Sequence, residues 1–271
     1  MISRAIPSTG EMLPVIGLGT SQAFDIGQAA GERQARVEVL KRFVGSGGAL
    51  VDSSPMYGKA ESVVGELAAA AGVASKLFVA TKVWTTGRAA GVEQMERSMK
   101  LLRVAQLDLM QVHNLVDYRN HLATLREWKR AGRVRYIGVT HYTASAHGEL
   151  ERVLRAEAVD FVQLNYSLEE REAEQRLLPL AQERGIAVIV NRPFAAGALL
   201  REARGKPLPG VARETGCSSW AALFLKWIVG HPAVTCVIPA TSQPDHLTEN
   251  MEAGQGSVPD AALRDRIAAA T

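Results

Sequence analysis

Cysteine is scarce in this chain: Cys217 and Cys236 are the only two among 271 residues. They form no CxxC pair and have no histidine at metal-ligand spacing, so neither a disulfide framework nor a metal site is expected. Aromatic residues make up only 6% of the chain, and an excess of one charge is missing too, with 31 basic and 28 acidic residues leaving +3. So small a balance offers no reason to expect nucleic acid or a membrane surface as a partner. Long apolar runs are also lacking. The stretch 220–229 is interrupted by Lys226 and is too short to span a bilayer. Residues 1–14 lack the apolar core of a signal peptide. These absences lead to the expectation of a soluble cytoplasmic protein. No GxGxxG follows the first strand candidate, which argues against an open dinucleotide-binding sheet.

What is present is a regular alternation. Short β-rich runs at 15–19, 49–53, 78–82, 107–113, 134–140, 161–165, 187–191 and 235–239 are each followed by a stretch with helical spacing of apolar residues. The helical stretches fall at 34–44, 61–70, 92–102, 122–131, 144–156, 170–184, 215–229 and 244–253. Pro179 is expected to kink or restart its helix. Strands alternating with helices imply a parallel sheet. Eight such units, with no break in composition, fit a single α/β domain over 1–271, a closed (β/α)8 TIM barrel. Ahead of it, 2–7 and 11–14 flank a turn at Ser8-Thr9-Gly10 and read as a β-hairpin capping the barrel bottom. The Gly-, Pro- and Arg-containing segment 195–210 reads as a long loop after the seventh strand.

In such barrels the reactive groups sit at the C-terminal ends of the strands. Strand two ends near Asp52 with Tyr57 in its loop, strand three ends at Lys82, and strand four ends at His113. Taken singly, each has an ordinary structural explanation: a helix cap, a packing tyrosine, a solvated strand end. Together they form a working set. Lys82 lies in the apolar run Phe78-Val79-Ala80-Thr81-Lys82-Val83, where desolvating an ammonium is costly, and Asp52 on the adjacent strand offsets that cost. A phenol titrates near about 10, and a neighbouring ammonium is expected to lower that value. His113 would orient a carbonyl oxygen that Tyr57 protonates.

From strand one to the last helix the sequence resembles the aldo-keto reductase family. The resemblance is carried by Gly17-Leu18-Gly19-Thr20, Asp52-Ser53-Ser54-Pro55-Met56-Tyr57-Gly58, Thr81-Lys82-Val83-Trp84 and Leu107-Asp108-Leu109-Met110-Gln111-Val112-His113-Asn114. It continues through Tyr136-Ile137-Gly138-Val139-Thr140, Val162-Gln163-Leu164-Asn165-Tyr166, Ile238-Pro239-Ala240-Thr241 and Glu249-Asn250. It implies a catalytic tetrad of Asp52, Tyr57, Lys82 and His113, and NADP(H) bound in extended form across the strand ends. It also implies that Gln163 with Thr140 and His141 holds the nicotinamide carboxamide, that Gly19, Thr20 and Ser21 lie near its ribose, and that Trp84 walls the substrate pocket. Phe24, His113 and Asn114 would complete that wall.

Three positions depart from the family pattern. Thr140-His141 stands where Ser-Asn is usual. Asn191 stands where a tyrosine commonly stacks on the nicotinamide, leaving Arg192, Pro193 and Phe194 beside it. Ala240 and His246 stand where Lys and Arg commonly meet the 2′-phosphate. Thr241, Ser242, His246 and the N-terminus of the helix 244–253 could still receive the phosphate, and Glu249 and Asn250 on that helix are expected to contact the cofactor as well. NADP(H) is therefore favoured and NAD(H) remains compatible. The short loop after strand four and the short tail imply an open, shallow pocket with broad or bulky substrate acceptance; a small-molecule carbonyl substrate and a monomer are expected. Two other functions fit parts of the pattern: a cofactor-binding redox sensor with weak turnover, and a Schiff-base lyase using Lys82.

Overall fold

The turn at Ser8-Thr9-Gly10 makes the hairpin: β1 (Ser3–Ala5) and β2 (Met12–Pro14) pair antiparallel, with Ala5 opposite Met12. Gly10 takes φ +77°, a left-handed value open to glycine at no steric cost. The computed structural model describes all of residues 1–271 and continues with eight parallel strands. They are β3 (Leu18–Gly19), β4 (Leu50–Asp52), β5 (Phe78–Val83), β6 (Leu107–His113), β7 (Val134–Thr140), β8 (Phe161–Asn165), β9 (Ala187–Asn191) and β10 (Val234–Val237). Each pairs with the next in chain order, and bridges Ile16↔Val237 and Gly19↔Ala240 join first to last. The expected (β/α)8 barrel is thus closed. Its first strand is shorter than the run 15–19, because residues 15–17 bond to β10 and to the segment before the hairpin rather than to β4: Gly17 N–H donates to Val237 O at 2.8 Å, Val237 N–H donates to Val15 O at 2.9 Å, and Val15 N–H donates to Ile2 O at 3.1 Å. The last strand stops before Pro239, which has no N–H to offer a ladder.

The helices are α1 (Ala30–Gly45), α2 (Ala60–Ala70), α3 (Arg88–Leu102), α4 (Tyr118–Arg130), α5 (His147–Ala156), α6 (Leu177–Glu183), α7 (Ala198–Glu202), α8 (Val211–Thr215), α9 (Trp220–Val229), α10 (Pro244–Glu252) and α11 (Ala261–Ala269). Three expectations need correction. Segment 195–210 is not simply a loop: a 3₁₀ turn at Ala195–Gly197 leads into α7. The stretch 170–184 splits into a 3₁₀ turn at Glu172–Glu174 and α6, with Pro179 in the first turn of α6, where its missing N–H has no intrahelical partner to lose. And α9 begins at Trp220 rather than at 215, because Ser219 caps it by accepting the Ala222 N–H. The terminal helix α11 was not among the expected elements. No helix is long and apolar enough to cross a membrane.

Strand side chains alternate between the helices and the barrel interior. The outward set packs with the helices in a core of 60 buried residues. The inward set is layered. Toward the hairpin it is apolar: Phe78, Leu109, Tyr136, Phe161 and Ile189 pack with Ile6 and Leu13, so the hairpin seals this end as expected. Arg4 reinforces the seal by donating to the carbonyls of Val229 and His231, at 2.7 and 2.6 Å, and to that of Val234. Two to four residues further along the strands the interior turns polar, with Lys82, Gln111, His113, Thr140, Gln163 and Asn165 all buried. Gly138 leaves room for this layer, since a Cβ there would come within 3.3 Å of the Gln111 side chain and 2.8 Å of Phe161 O.

Candidate active site

Most of the polar layer forms one connected network around Asp52. Lys82 is fully buried, and its Nζ donates to Asp52 Oδ2 at 2.5 Å and to Ser53 O at 2.8 Å. Desolvation pulls the Lys82 pKa down, but Asp52 and Tyr57 outweigh it and the net shift is upward, so the side chain stays an ammonium. The other carboxylate oxygen of Asp52 accepts from Gln163 Nε2 at 2.9 Å and Gln111 Nε2 at 3.1 Å. Gln163 Oε1 in turn accepts from Asn191 Nδ2 at 3.3 Å and Thr140 Oγ1 at 3.4 Å. A buried ion pair is tolerable only with its remaining lone pairs satisfied, and here amides from two further strands do this.

Tyr57 reaches this layer from the loop between β4 and α2. The Lys82 ammonium lies 5.1 Å from its ring centre, and the His113 ring meets it edge-on at 6.0 Å between centroids. The expected lowering of the Tyr57 pKa is corrected. Burial raises it, Lys82 pulls back, and the net shift is upward from 10.0. The phenol therefore keeps its proton at neutral pH. Burial, followed by the Lys82 and His141 charges, pushes His113 down to about 2, so its ring is a neutral imidazole. Its Nδ1 lies 3.0 Å from Ser54 Oγ. Trp84 is 42% exposed, with its ring centre 6.5 Å from that of His113, so it stands at the rim rather than in the core.

Around this centre the structure gathers most of the residues singled out in the sequence. Thr20 donates to Asp52 O and Ser53 Oγ, both at 3.0 Å, and Ser21 beside it is exposed. A Cβ on Gly19 would come within 2.9 Å of Ile238 O. His141 Nδ1 accepts the Tyr142 N–H at 3.0 Å, and His141 O accepts from Asn191 Nδ2 at 3.3 Å. Four buried polar atoms at this end have no protein partner: Asn114 Oδ1, Asn165 Nδ2, Asn191 Oδ1 and Arg192 Nε. Asn114 and Arg192 both have left-handed backbones, φ 52° and 50°, a conformation that costs non-glycine residues energy. Pro193 is buried and Phe194 half-buried beside them. Phe24 is a correction: it is fully buried in the outer core and offers no surface to a pocket. Thr241 and Asn250 are buried, Ser242 and Glu249 half-buried, and His246 is exposed.

A family model described as the aldo/keto reductase family matches residues 15–264. The chain belongs to that family. Methylglyoxal reductase YeaE of Escherichia coli (strain K12) is 28% identical over 259 residues, 92% of this chain and 89% of that protein. Aldo-keto reductase YhdN of Bacillus subtilis (strain 168) is 28% identical over 210 residues, 72% of this chain and 62% of that one. Among solved structures, an aldo/keto reductase of Klebsiella pneumoniae in complex with NADP and acetate superposes with a TM-score of 0.79 at 25% identity, covering 95% of this chain and 91% of that one. The thermostable aldo-keto reductase Tm1743, solved with the inhibitor epalrestat, shares the fold over 100% of both chains with a TM-score of 0.82 at 24% identity.

Three residues of this aldo/keto reductase escaped the sequence reading of its site. Gln111 could have been found by counting two back from His113, since strand residues two apart share a face. Ser54 lies in a Ser-Ser-Pro run that reads as turn material. Arg36 is only 8% exposed, with Nε donating to Ala23 O at 2.7 Å and Nη1 to Ser242 O at 3.2 Å. It ties the loop after β3 to the loop after β10, a long-range contact that helical spacing does not reveal.

Proposed function

We propose that this protein reduces aldehydes or ketones to alcohols with a nicotinamide dinucleotide, NADPH in preference to NADH, and that Tyr57 is the proton donor. The observation that carries this reading is the buried Lys82–Asp52 pair beneath a protonated Tyr57, with a neutral His113 at its side. A bound nicotinamide supplies the hydride. Tyr57 delivers its proton to the carbonyl oxygen as negative charge builds there, and Lys82 stabilises the phenolate left behind. Asp52 holds the ammonium charged and in place. His113 and Trp84 flank the spot where the carbonyl would sit.

The residues suit such a cofactor. A carboxamide has both donors and an acceptor, and unpaired Asn191 Oδ1 and Asn165 Nδ2 offer the complements beside Gln163. Gly19, Thr20 and Ser21 would lie along the ribose, and Thr241, Ser242 and His246 near the 2′-phosphate. NADPH is favoured because the Klebsiella relative was solved with NADP, and because the buried Arg36 cation lies beside Ser242. A Schiff-base lyase would need an uncharged Lys82, and its raised pKa opposes that.

The test is carbonyl-dependent NADPH oxidation, with methylglyoxal among the substrates because the YeaE relative is named for reducing it. Tyr57→Phe should lower kcat by about 10²–10⁴-fold. Parent-like turnover in that variant would refute the assignment. Tight NADPH binding without turnover of any carbonyl by the parent would point to the sensor instead.

A further inference from the structure

His113 can help a carbonyl only if its single proton sits on the ring nitrogen that faces the rim, because a neutral imidazole has one N–H and one bare lone pair. The partner on the far side of the ring bears on this. Ser54 Oγ lies 3.0 Å from His113 Nδ1, while Nε2 hydrogen-bonds no other residue. Ser54 is fully buried, so each of its hydrogen-bonding positions needs a protein partner. Its oxygen already accepts the Met56 N–H at 3.3 Å. The nitrogen within reach of its own proton is His113 Nδ1. Were Nδ1 protonated instead, the serine O–H would be buried without an acceptor, the costly way to leave a polar group.

We infer that Ser54 is a positioning residue that holds His113 in the Nε2–H tautomer, so that the imidazole donates to the substrate oxygen from the side it shares with Tyr57. The inference rests on the reductase reading for its purpose, though the tautomer itself does not. The same residue also sets the other partner of the carbonyl, because Ser54 O accepts the Tyr57 N–H at 3.0 Å. One serine thus supports both groups, its hydroxyl orienting the imidazole and its carbonyl anchoring the loop that carries the phenol. His141 repeats the device nearby. Its Nδ1 accepts backbone N–H groups of Tyr142 and Thr143 at 3.0 and 3.4 Å, which leaves Nε2 as its protonated nitrogen.

The experiment is ¹⁵N NMR of the histidine-labelled full chain, with the His113 signals assigned by their loss in His113→Asn. The parent is expected to show an unprotonated Nδ1 and a protonated Nε2. In Ser54→Ala the Nδ1–H form should appear, and kcat for carbonyl reduction should fall about tenfold with the KM for NADPH unchanged. Ser54→Thr keeps the hydroxyl and should restore both tautomer and rate. A parent protonated on Nδ1, or a Ser54→Ala protein with unchanged tautomer and kcat, would overturn the inference. An Nε2–H parent that turns over no carbonyl would support the tautomer assignment and refute the reductase reading alone.

Discussion

At the level of single residues, the candidate site keeps one proton on and another off. Burial holds the Tyr57 proton on, because a phenolate is hard to form in a desolvated setting even with Lys82 nearby. Burial together with the Lys82 charge keeps a second proton off His113. A rate profile follows. Reductive kcat/KM should be flat across neutral pH with no step near the ordinary histidine value, and should fall only where Tyr57 ionises, above its usual 10.0. A step near about 6.5 that vanishes in His113→Asn would contradict this. Stability behaves differently. The unfolded chain takes up a proton on this histidine below about pH 6.5, while the folded one refuses it down to about 2. His113's contribution is thus complete above that upper value and is lost on acidification, so Tm should drop as pH falls below it, and less so in His113→Asn. The convergence of Asp52, Tyr57, Lys82 and His113 was legible in the sequence because each lies at, or in the loop after, a strand end, which a barrel brings to one rim. The direction of the Tyr57 shift was not. It is the difference between a burial cost and a Coulombic gain, and only the folded packing sets the first.

Elements were legible in proportion to how strongly they alternate. β5 to β9 match the expected runs to within one residue, since largely buried strands read as mostly apolar stretches bounded by Gly or polar residues. The helix α11 was hidden because Ile267 is its only buried residue, giving it hardly an apolar stripe to detect. Polar contacts fasten it instead: Arg264 donates to Tyr166 Oη at 2.6 Å, Glu174 Oε1 at 2.9 Å and Trp227 O at 3.1 Å. Its one sequence signal was Asp260, which caps it by accepting the Leu263 N–H at 2.8 Å. The link between α1 and the β10–α10 loop is also polar, through Arg36 and Ser242 O. Arg36→Gln removes a buried cation at that seam. We expect its Kd for NADPH, followed by Trp fluorescence, to rise about tenfold, with NADH affected less and kcat little changed. Equal weakening of both nucleotides would mean that Arg36 serves loop placement alone.

Across the whole molecule, the barrel is sealed at one end and chemically equipped at the other. The seal joins distant parts of the chain: Arg4 bonds to carbonyls 225, 227 and 230 residues further on. Contacts of such long separation form late in folding, after the entropy of closing the intervening chain has been met. Arg4→Ala should therefore speed unfolding while leaving the refolding rate nearly unchanged, which the two arms of a denaturant chevron would show. A slowed folding arm would place the hairpin in the folding nucleus instead. The same separation has a meaning on the ribosome. At about 5–20 residues per second, the hairpin waits roughly 10–50 s between its own emergence and that of the strand it must cover. Through that interval Ile6 and Leu13, both buried in the finished barrel, have no barrel interior to enter. Between those two moments a newborn chain of this design has its stopper made and its vessel unfinished, and that is when chaperones would have the most of it to hold.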